Sequence, residues 1–188
     1  MASEPATGMV ASLSPFIRAP LTLVLGGARA GKSTYAEGLI APDDRSAGLY
    51  LATAEPGDAE MAERIAQHRA RRGAAWTTVE EPLELERALR AHARADRPIL
   101  VDCLTLWLTN LMLAGRDPAA ATATLIDTLP RLAGPVVFVS NEVGLGIVPD
   151  NALARRFRDA AGRLNQAVAA ACQRVVLVAA GLPLVLKG

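Results

Sequence analysis

Short runs of apolar and β-branched residues, separated by turn-forming residues, recur along the chain and predict the strands of a sheet. They span residues 21–25, 48–52, 76–79, 98–102, 136–140, 175–179 and 184–186. Runs this short, without strict alternation of apolar and polar residues, are typical of strands that are covered on both faces. The last two runs flank Gly181-Leu182-Pro183, which predicts a hairpin at the edge of the sheet.

Between these runs, apolar residues recur at helical spacing and predict the helices. One helix follows the first strand, and others are expected at residues 58–72, 84–95, 104–113, 119–132 and 151–171. Trp107 in the fourth of these is expected to lie in the core or in a subunit contact. The alternation of strands and helices predicts an α/β fold with a mostly parallel central sheet and helices on both faces.

The helix at residues 151–171 has a clear apolar stripe. Its predicted buried face consists of Leu153, Phe157, Ala161, Leu164 and Val168. Its polar residues form either an ordinary solvated face or a site for an anionic group, and they are Arg155, Arg158, Asp159, Arg163 and Asn165.

The segment between the first strand and the first helix fits the phosphate-binding P-loop pattern G-x-x-x-x-G-K-[ST]. Gly26 and Gly31 allow the backbone torsions and the close approach to phosphate that a side chain would block. Lys32 is expected to reach the β- and γ-phosphates, and the Ser33 hydroxyl can bind Mg²⁺. The predicted nucleotide-binding residues here are Gly26, Gly27, Ala28, Arg29, Ala30, Gly31, Lys32, Ser33 and Thr34.

Composition narrows the class of protein. The 188 residues suit one domain, predicted at residues 21–188, after a flexible and dispensable extension at residues 1–20. No apolar run approaches the ~18 residues of a membrane span. The net charge of +1 argues against nucleic acid or an anionic membrane as a partner. Cys103 and Cys172 lack metal-ligand or CxxC spacing, so we expect free thiols and a cytoplasmic location.

Two residues at the carboxyl ends of predicted strands are candidates for the nucleotide site. Asp102 ends an apolar strand, as the acid of a Walker B segment does, and its carboxylate could hold the water shell of Mg²⁺. Thr53 ends the second strand, where ligands of open α/β sheets collect, and the alternative is an ordinary turn threonine.

His68 is the candidate nucleophile. It lies on the same predicted helix face as Met61 and Ile65, so a structural histidine is the alternative. Its setting favours chemistry, because four arginines lie close to it in sequence in a chain that already binds a triphosphate. They are Arg64, Arg69, Arg71 and Arg72. The other histidine, His92, is predicted to lie on a solvated surface.

The segment Asn141 to Pro149 follows a buried strand and contains two glycines and Glu142. A loop at the carboxyl end of a strand is where a second substrate could bind, and a plain connection is the alternative.

Together these motifs closely resemble the bifunctional adenosylcobinamide kinase/adenosylcobinamide-phosphate guanylyltransferases of cobalamin biosynthesis. The resemblance covers the chain from Leu21 to its C-terminus. It rests on residues 26–33, 50–54, Glu60, Met61, Arg64, Ile65, His68, Trp76, Glu80, and residues 101–105, 140–144, 147–149, 153–155, 157–159, Gly162, Asn165 and Gln166. Ala30 departs from the family pattern, which usually has serine there.

The resemblance implies a RecA-like P-loop NTPase fold, a homotrimer and two activities that use Mg²⁺. ATP or GTP would phosphorylate adenosylcobinamide. GTP would then give its GMP group to adenosylcobinamide phosphate through a guanylyl-histidine at His68, with Lys32 as the second catalytic residue. By the family pattern, further nucleotide-binding residues are Ala52, Thr53, Ala54, Arg69, Ala70, Arg71, Arg72, Glu80 and Asp102, and the metal ligands are Ser33 and Asp102. Asp102 and Glu142 are candidate bases for the kinase step.

The residues leave two alternatives. A simple P-loop kinase for a small molecule or nucleotide would transfer the γ-phosphoryl group without covalent GMP. A nucleotide switch or a DNA-bound RecA relative is disfavoured, because the chain has neither an Asn-Lys-x-Asp motif nor a basic stripe.

Overall fold

One seven-stranded sheet organises the part of the chain that the computed structural model describes, residues 20–40, 48–55, 63 and 76–188. The strands are β1 (Leu21–Gly26), β2 (Gly48–Ala52), β3 (Trp76–Glu80), β4 (Ile99–Asp102), β5 (Val136–Asn141), β6 (Arg174–Ala179) and β7 (Leu182–Lys187). Their order across the sheet is β3-β2-β4-β5-β1-β6-β7. All neighbours are parallel except β6 and β7, which form the predicted antiparallel hairpin at one edge.

Helices follow the strands as the periodicity predicts. They are α1 (Lys32–Ile40), α2 (Leu85–His92), α3 (Leu104–Leu113), α4 (Pro118–Thr128), which a short 3-10 helix at Leu129–Arg131 continues, and α5 (Ala152–Ala171). Two of these helices begin directly after a residue whose side chain caps the helix. Asp117 caps α4 by accepting from the Ala119 amide, ahead of Pro118, and Asn151 caps α5 by accepting from the Ala154 amide at 2.7 Å.

Both faces of the central strands are covered, so the predicted α/β layering is confirmed, while the edge strand β7 is exposed along its length. Alternate side chains of β1 enter different cores, since Leu23 packs with α2 to α5 and Val24 packs with α1. Trp107 is fully buried in the larger core and donates from Nε1 to the Leu83 carbonyl at 2.9 Å. Among helices in the described part of the chain, none is long and apolar enough to cross a membrane.

Several details differ from the sequence predictions. Leu153 is 61% exposed, so the buried face of α5 begins a turn later than predicted. Asn165, predicted on the polar face, is buried, and His92 is half-buried. The hairpin turn is Ala180-Gly181, with φ of 52° and 80°, while Leu182 and Pro183 belong to β7. Periodicity shows which side of an element is apolar, but neighbouring elements decide which turns they cover.

Two predictions fall outside the described residues. One is the N-terminal extension, of which only Pro20 is described, and the other is the helix at residues 58–72, of which only Glu63, in helical conformation, is described.

Candidate active site

The P-loop connects the end of β1 to the start of α1 in a conformation that needs its glycines. Gly26 has a φ of 152° and Gly31 a φ of 97°. A Cβ on Gly26 would lie 2.2 Å from the Val178 carbonyl oxygen, and one on Gly31 would lie 3.2 Å from the Gly181 Cα. The P-loop therefore packs directly on the β6–β7 hairpin.

Lys32 is the buried cation of this loop. Its side chain is 7% exposed, and its Nζ donates to the Gly27 carbonyl at 2.6 Å, which folds it back over the loop. Burial lowers the pKa of Lys32, while the nearby Cys103 and Asp102 oppose that shift. An ammonium has three donors, so Lys32 can bind phosphate oxygens while it keeps this contact.

The remaining P-loop residues are open to solvent. Gly27, Ala28, Arg29 and Thr34 are exposed, and Ala30 and Ser33 are half-buried. The first turn of α1 therefore offers unpaired amide groups and the positive end of its dipole to an anion.

Asp102 ends β4 beside β2 and is oriented by a tyrosine. The Tyr50 hydroxyl donates to Asp102 Oδ2, and the Tyr50 ring packs edge-on against Trp76 with centroids 6.1 Å apart. The carboxylate of Asp102 is half-buried. Carboxylate and hydroxyl oxygens are the hard donors that Mg²⁺ prefers. Within the described residues no three His, Cys, Asp or Glu side chains converge.

Thr53 is fully buried and its hydroxyl bonds to the protein itself. Thr53 Oγ1 donates to the Cys103 carbonyl and accepts from the Cys103 amide, both at 2.8 Å. This reciprocal pair joins the end of β2 to the end of β4. Ala52 and Ala54 are half-buried next to it, and Glu80 lies exposed at the end of β3, in register with Ala52.

A largely buried polar network joins the start of α3 to β5 and α5, and the sequence analysis did not predict it. Asn141 Nδ2 donates to Thr105 Oγ1 at 2.8 Å, and Thr105 Oγ1 lies 2.8 Å from Cys103 Sγ. Asn165 Nδ2 donates to the Asn141 carbonyl at 3.1 Å, and its Oδ1 accepts from Ser140 Oγ at 2.7 Å. The burial of Asn165 could have been predicted from the sequence, because Asn165 falls on the same helix stripe as Ala161 and Val168.

Comparison with known proteins decides which family this geometry belongs to. The family model for "Cobinamide kinase / cobinamide phosphate guanyltransferase" (CobU) matches residues 22–186. The chain belongs to this family. It is therefore a bifunctional enzyme of cobalamin biosynthesis, a kinase and a guanylyltransferase. The family match confirms the resemblance seen in the sequence.

Relatives within the CobU family agree over most of their length. The chain is 54% identical to the bifunctional adenosylcobalamin biosynthesis protein CobP of Pseudomonas aeruginosa, over 88% of this chain and 96% of that protein. It is 42% identical to the corresponding CobU protein of Escherichia coli K12, over 89% and 99% of the two chains. The fold alone is shared with the flagellar accessory protein FlaH of Methanocaldococcus jannaschii, at 12% identity and a TM-score of 0.50, over 89% of this chain and 78% of that one.

The structure brings only some of the predicted site residues together. Lys32, Asp102 and the P-loop meet at the carboxyl edge of the sheet, with Thr53 at the end of the neighbouring strand β2. The predicted nucleophile of this CobU family member, His68, lies outside the described residues, as do Arg69, Ala70, Arg71 and Arg72.

The groove of about 630 Å³ between α4 and α5 is separate from this site. Among the described residues that line it are none of the predicted nucleotide-binding residues, and its charged lining includes Arg156 and Arg163 together with Asp127 and Asp159. Because both signs of charge line it, this groove is not arranged to bind an anion.

Proposed function

We propose that one nucleotide site, built on the P-loop, serves both reactions of this enzyme. The observation that carries the proposal is the placement of Lys32, buried under the loop with its Nζ on Gly27 and influenced by Asp102. A cation held there matches the charge of a triphosphate, and the amides of the first turn of α1 add further donors.

In the kinase step, the hydroxyl oxygen of adenosylcobinamide attacks the γ-phosphorus of ATP or GTP. The bond from that phosphorus to the β-phosphate oxygen breaks, and the nucleoside diphosphate leaves. Lys32 and the loop amides stabilise the charge that develops on the phosphates. Asp102 and Glu142 are the candidates for accepting the hydroxyl proton.

In the guanylyl step, a ring nitrogen of His68 attacks the α-phosphorus of GTP and pyrophosphate leaves. A phosphate oxygen of adenosylcobinamide phosphate then attacks the same phosphorus. The nitrogen–phosphorus bond breaks, His68 is regenerated, and adenosylcobinamide-GDP is formed. A neutral imidazole suits this role because it is a nucleophile near pH 7 and its phosphoramidate passes on the group it carries.

Mg²⁺ belongs to this proposal as the ion that offsets phosphate charge when it is bound. Ser33 and Asp102 would hold it. Thr53, Glu80, Arg69 and their neighbours would complete the nucleotide site as the family pattern implies. We also propose that the enzyme is a cytoplasmic homotrimer whose catalytic domain spans residues 21–188, with residues 1–20 as an extension.

The experiment that tests the proposal compares the two histidines of the chain. The wild type, His68→Ala and His92→Ala are incubated with GTP labelled on the α-phosphate and then denatured. Wild type and His92→Ala should carry acid-labile, base-stable label, and His68→Ala should carry none.

A parallel assay with label on the γ-phosphate should show that His68→Ala still phosphorylates adenosylcobinamide. Label on His68→Ala would exclude it as the nucleophile. A wild type that binds GTP and phosphorylates but never becomes labelled would support the simple kinase instead.

A further inference from the structure

The loop between β5 and α5, residues 142–151, exposes an unusual amount of apolar side chain. Leu145 is 88% exposed, Ile147 is 98% exposed and Val148 is 61% exposed, with Val143 partly exposed beside them. Residues 143–149 contain no ionisable side chain. Apolar groups concentrated in one exposed segment mark a binding surface more often than single exposed residues do.

The loop is held in place at both ends. The Glu142 amide donates to the Gly26 carbonyl at 3.0 Å, which attaches the start of the loop to the P-loop. Arg155 Nη1 donates to the Pro149 carbonyl at 2.9 Å and to the Asp150 carbonyl at 2.6 Å, which attaches its end to α5. The apolar side chains are therefore presented next to the nucleotide site by an anchored segment.

We propose that this β5–α5 loop binds the corrin macrocycle of the acceptor, with Leu145 and Ile147 against the face of the ring. The inference rests on the proposed function, because it assumes that acceptor and nucleotide meet at the P-loop. β5 pairs with β1, and Asn141 lies opposite Gly26, so the loop leaves the sheet beside the P-loop.

The chemistry of the acceptor fits this placement. In both steps its reacting end, a hydroxyl or a phosphate, must reach the nucleotide phosphates near Lys32. The rest of the molecule includes a broad ring with methyl groups on its faces, and these faces suit apolar rather than charged contacts. The β5–α5 loop is uncharged from 143 to 149 and is attached to the P-loop. The loop could therefore bind the ring while the adjoining P-loop binds the nucleotide phosphates that the reacting end must reach.

The test uses the double variant Leu145→Ser/Ile147→Ser with Leu113→Ser as a matched control. Leu113 is 80% exposed at the end of α3, so its replacement removes exposed apolar surface outside the β5–α5 loop, from one residue rather than two. Adenosylcobinamide affinity is measured by equilibrium dialysis and as KM in the kinase reaction. Loss of two buried aliphatic contacts should weaken binding at least about tenfold in the loop variant and leave the control unchanged.

Two further measurements test the loop assignment independently of the proposed function. Labelling with α-labelled GTP in the absence of corrinoid should be unchanged in the loop variant, since the nucleotide site is intact. The conservative variant Leu145→Met/Ile147→Leu should restore the KM. Unaltered corrinoid binding in the serine variant would overturn the loop assignment while leaving the proposed function standing. A serine variant whose sedimentation coefficient changes, and whose lost corrinoid affinity follows from that change of oligomeric state, would also overturn the loop assignment. That result would assign the loop to contacts between copies of the chain.

Discussion

The amide of Gly181 donates a hydrogen bond to the carbonyl of Ala30 at 2.9 Å. The turn of the C-terminal hairpin therefore rests on the P-loop, and the Val178 carbonyl lies against Gly26 in the same contact. The geometry of the phosphate-binding loop depends on residues close to the other end of the chain.

Gly26→Ala should damage both stability and nucleotide binding. A Cβ there would lie 2.2 Å from the Val178 oxygen, which belongs to the backbone and cannot rotate away. We expect a loss of about 1–3 kcal/mol in the free energy of unfolding and at least a tenfold weaker nucleotide Kd. Gly38→Ala is the control, because a Cβ on Gly38 in α1 meets nothing within 4 Å. It should stabilise the protein by up to about 1 kcal/mol without changing the Kd.

Lys32→Met should lower the activity of the enzyme without lowering its stability. Both transfers should slow by about a hundredfold or more, as loss of a donor to developing phosphate charge does in other enzymes. At neutral pH the variant should be at least as stable as the wild type, because burial lowers the pKa of Lys32 and disfavours its charged form.

The pH dependence of the stability difference between the wild type and Lys32→Met tests whether the difference comes from the lowered pKa of Lys32. Between the lowered pKa of folded Lys32 and its usual 10.5, the unfolded chain binds more protons than the folded one. The wild type should therefore gain stability relative to Lys32→Met as the pH rises through this range, as measured by urea unfolding. A methionine variant that is less stable at neutral pH would contradict the assignment.

Tyr50→Phe should impair the orientation of Asp102. The ring keeps its packing against Trp76, but the donor to Oδ2 is lost. Since Asp102 is the proposed Mg²⁺ ligand, we expect the rate of phosphoryl transfer at limiting Mg²⁺ to fall several-fold and to recover partly as Mg²⁺ is raised. Tyr35→Phe in α1 is the control, because the chain has two tyrosines, and its Mg²⁺ dependence should match that of the wild type.

Asn165→Leu should destabilise the enzyme by about 1–3 kcal/mol, since Ser140 Oγ and the Asn141 carbonyl would lose a buried partner. Adding Ser140→Ala should recover part of that loss, because one of the two unpaired groups is then removed. Gln166→Leu on the exposed side of α5 should stay within about 0.5 kcal/mol of the wild type. A loss in the double variant equal to the sum of the losses in Asn165→Leu and Ser140→Ala would show that the two side chains act independently.

The Cys172 thiol should make the enzyme less stable in alkali. Burial raises its pKa from 9.0 to about 12. Over that range the folded thiol keeps a proton that the unfolded thiol loses, so the free energy of unfolding falls by up to about 1.4 kcal/mol per pH unit. In Cys172→Ala this contribution should vanish when urea unfolding is compared at about pH 8 and about pH 10. An unchanged slope would assign the alkaline loss to other groups.

Local sequence predicted those parts of the site whose chemistry is local. The P-loop was recognisable because its glycine torsions, its lysine and the following helix lie within one short segment, and Asp102 because an acid ends an apolar strand. Leu153 and Asn165 were misplaced, because their burial depends on which elements cover α5. The role of the Thr53 hydroxyl could not be predicted, since its partner, Cys103, lies on another strand.

The sequence by itself determined the strands, the α/β class, the P-loop and the family, because apolar runs, helical spacing and motif residues are properties of neighbouring positions. The tertiary structure alone decided that β5 separates β1 from β4, that the hairpin supports the P-loop, and that the β5–α5 loop is attached to Gly26. These relationships depend on backbone hydrogen bonds and packing between residues far apart in the chain, and local patterns do not specify which distant segments meet.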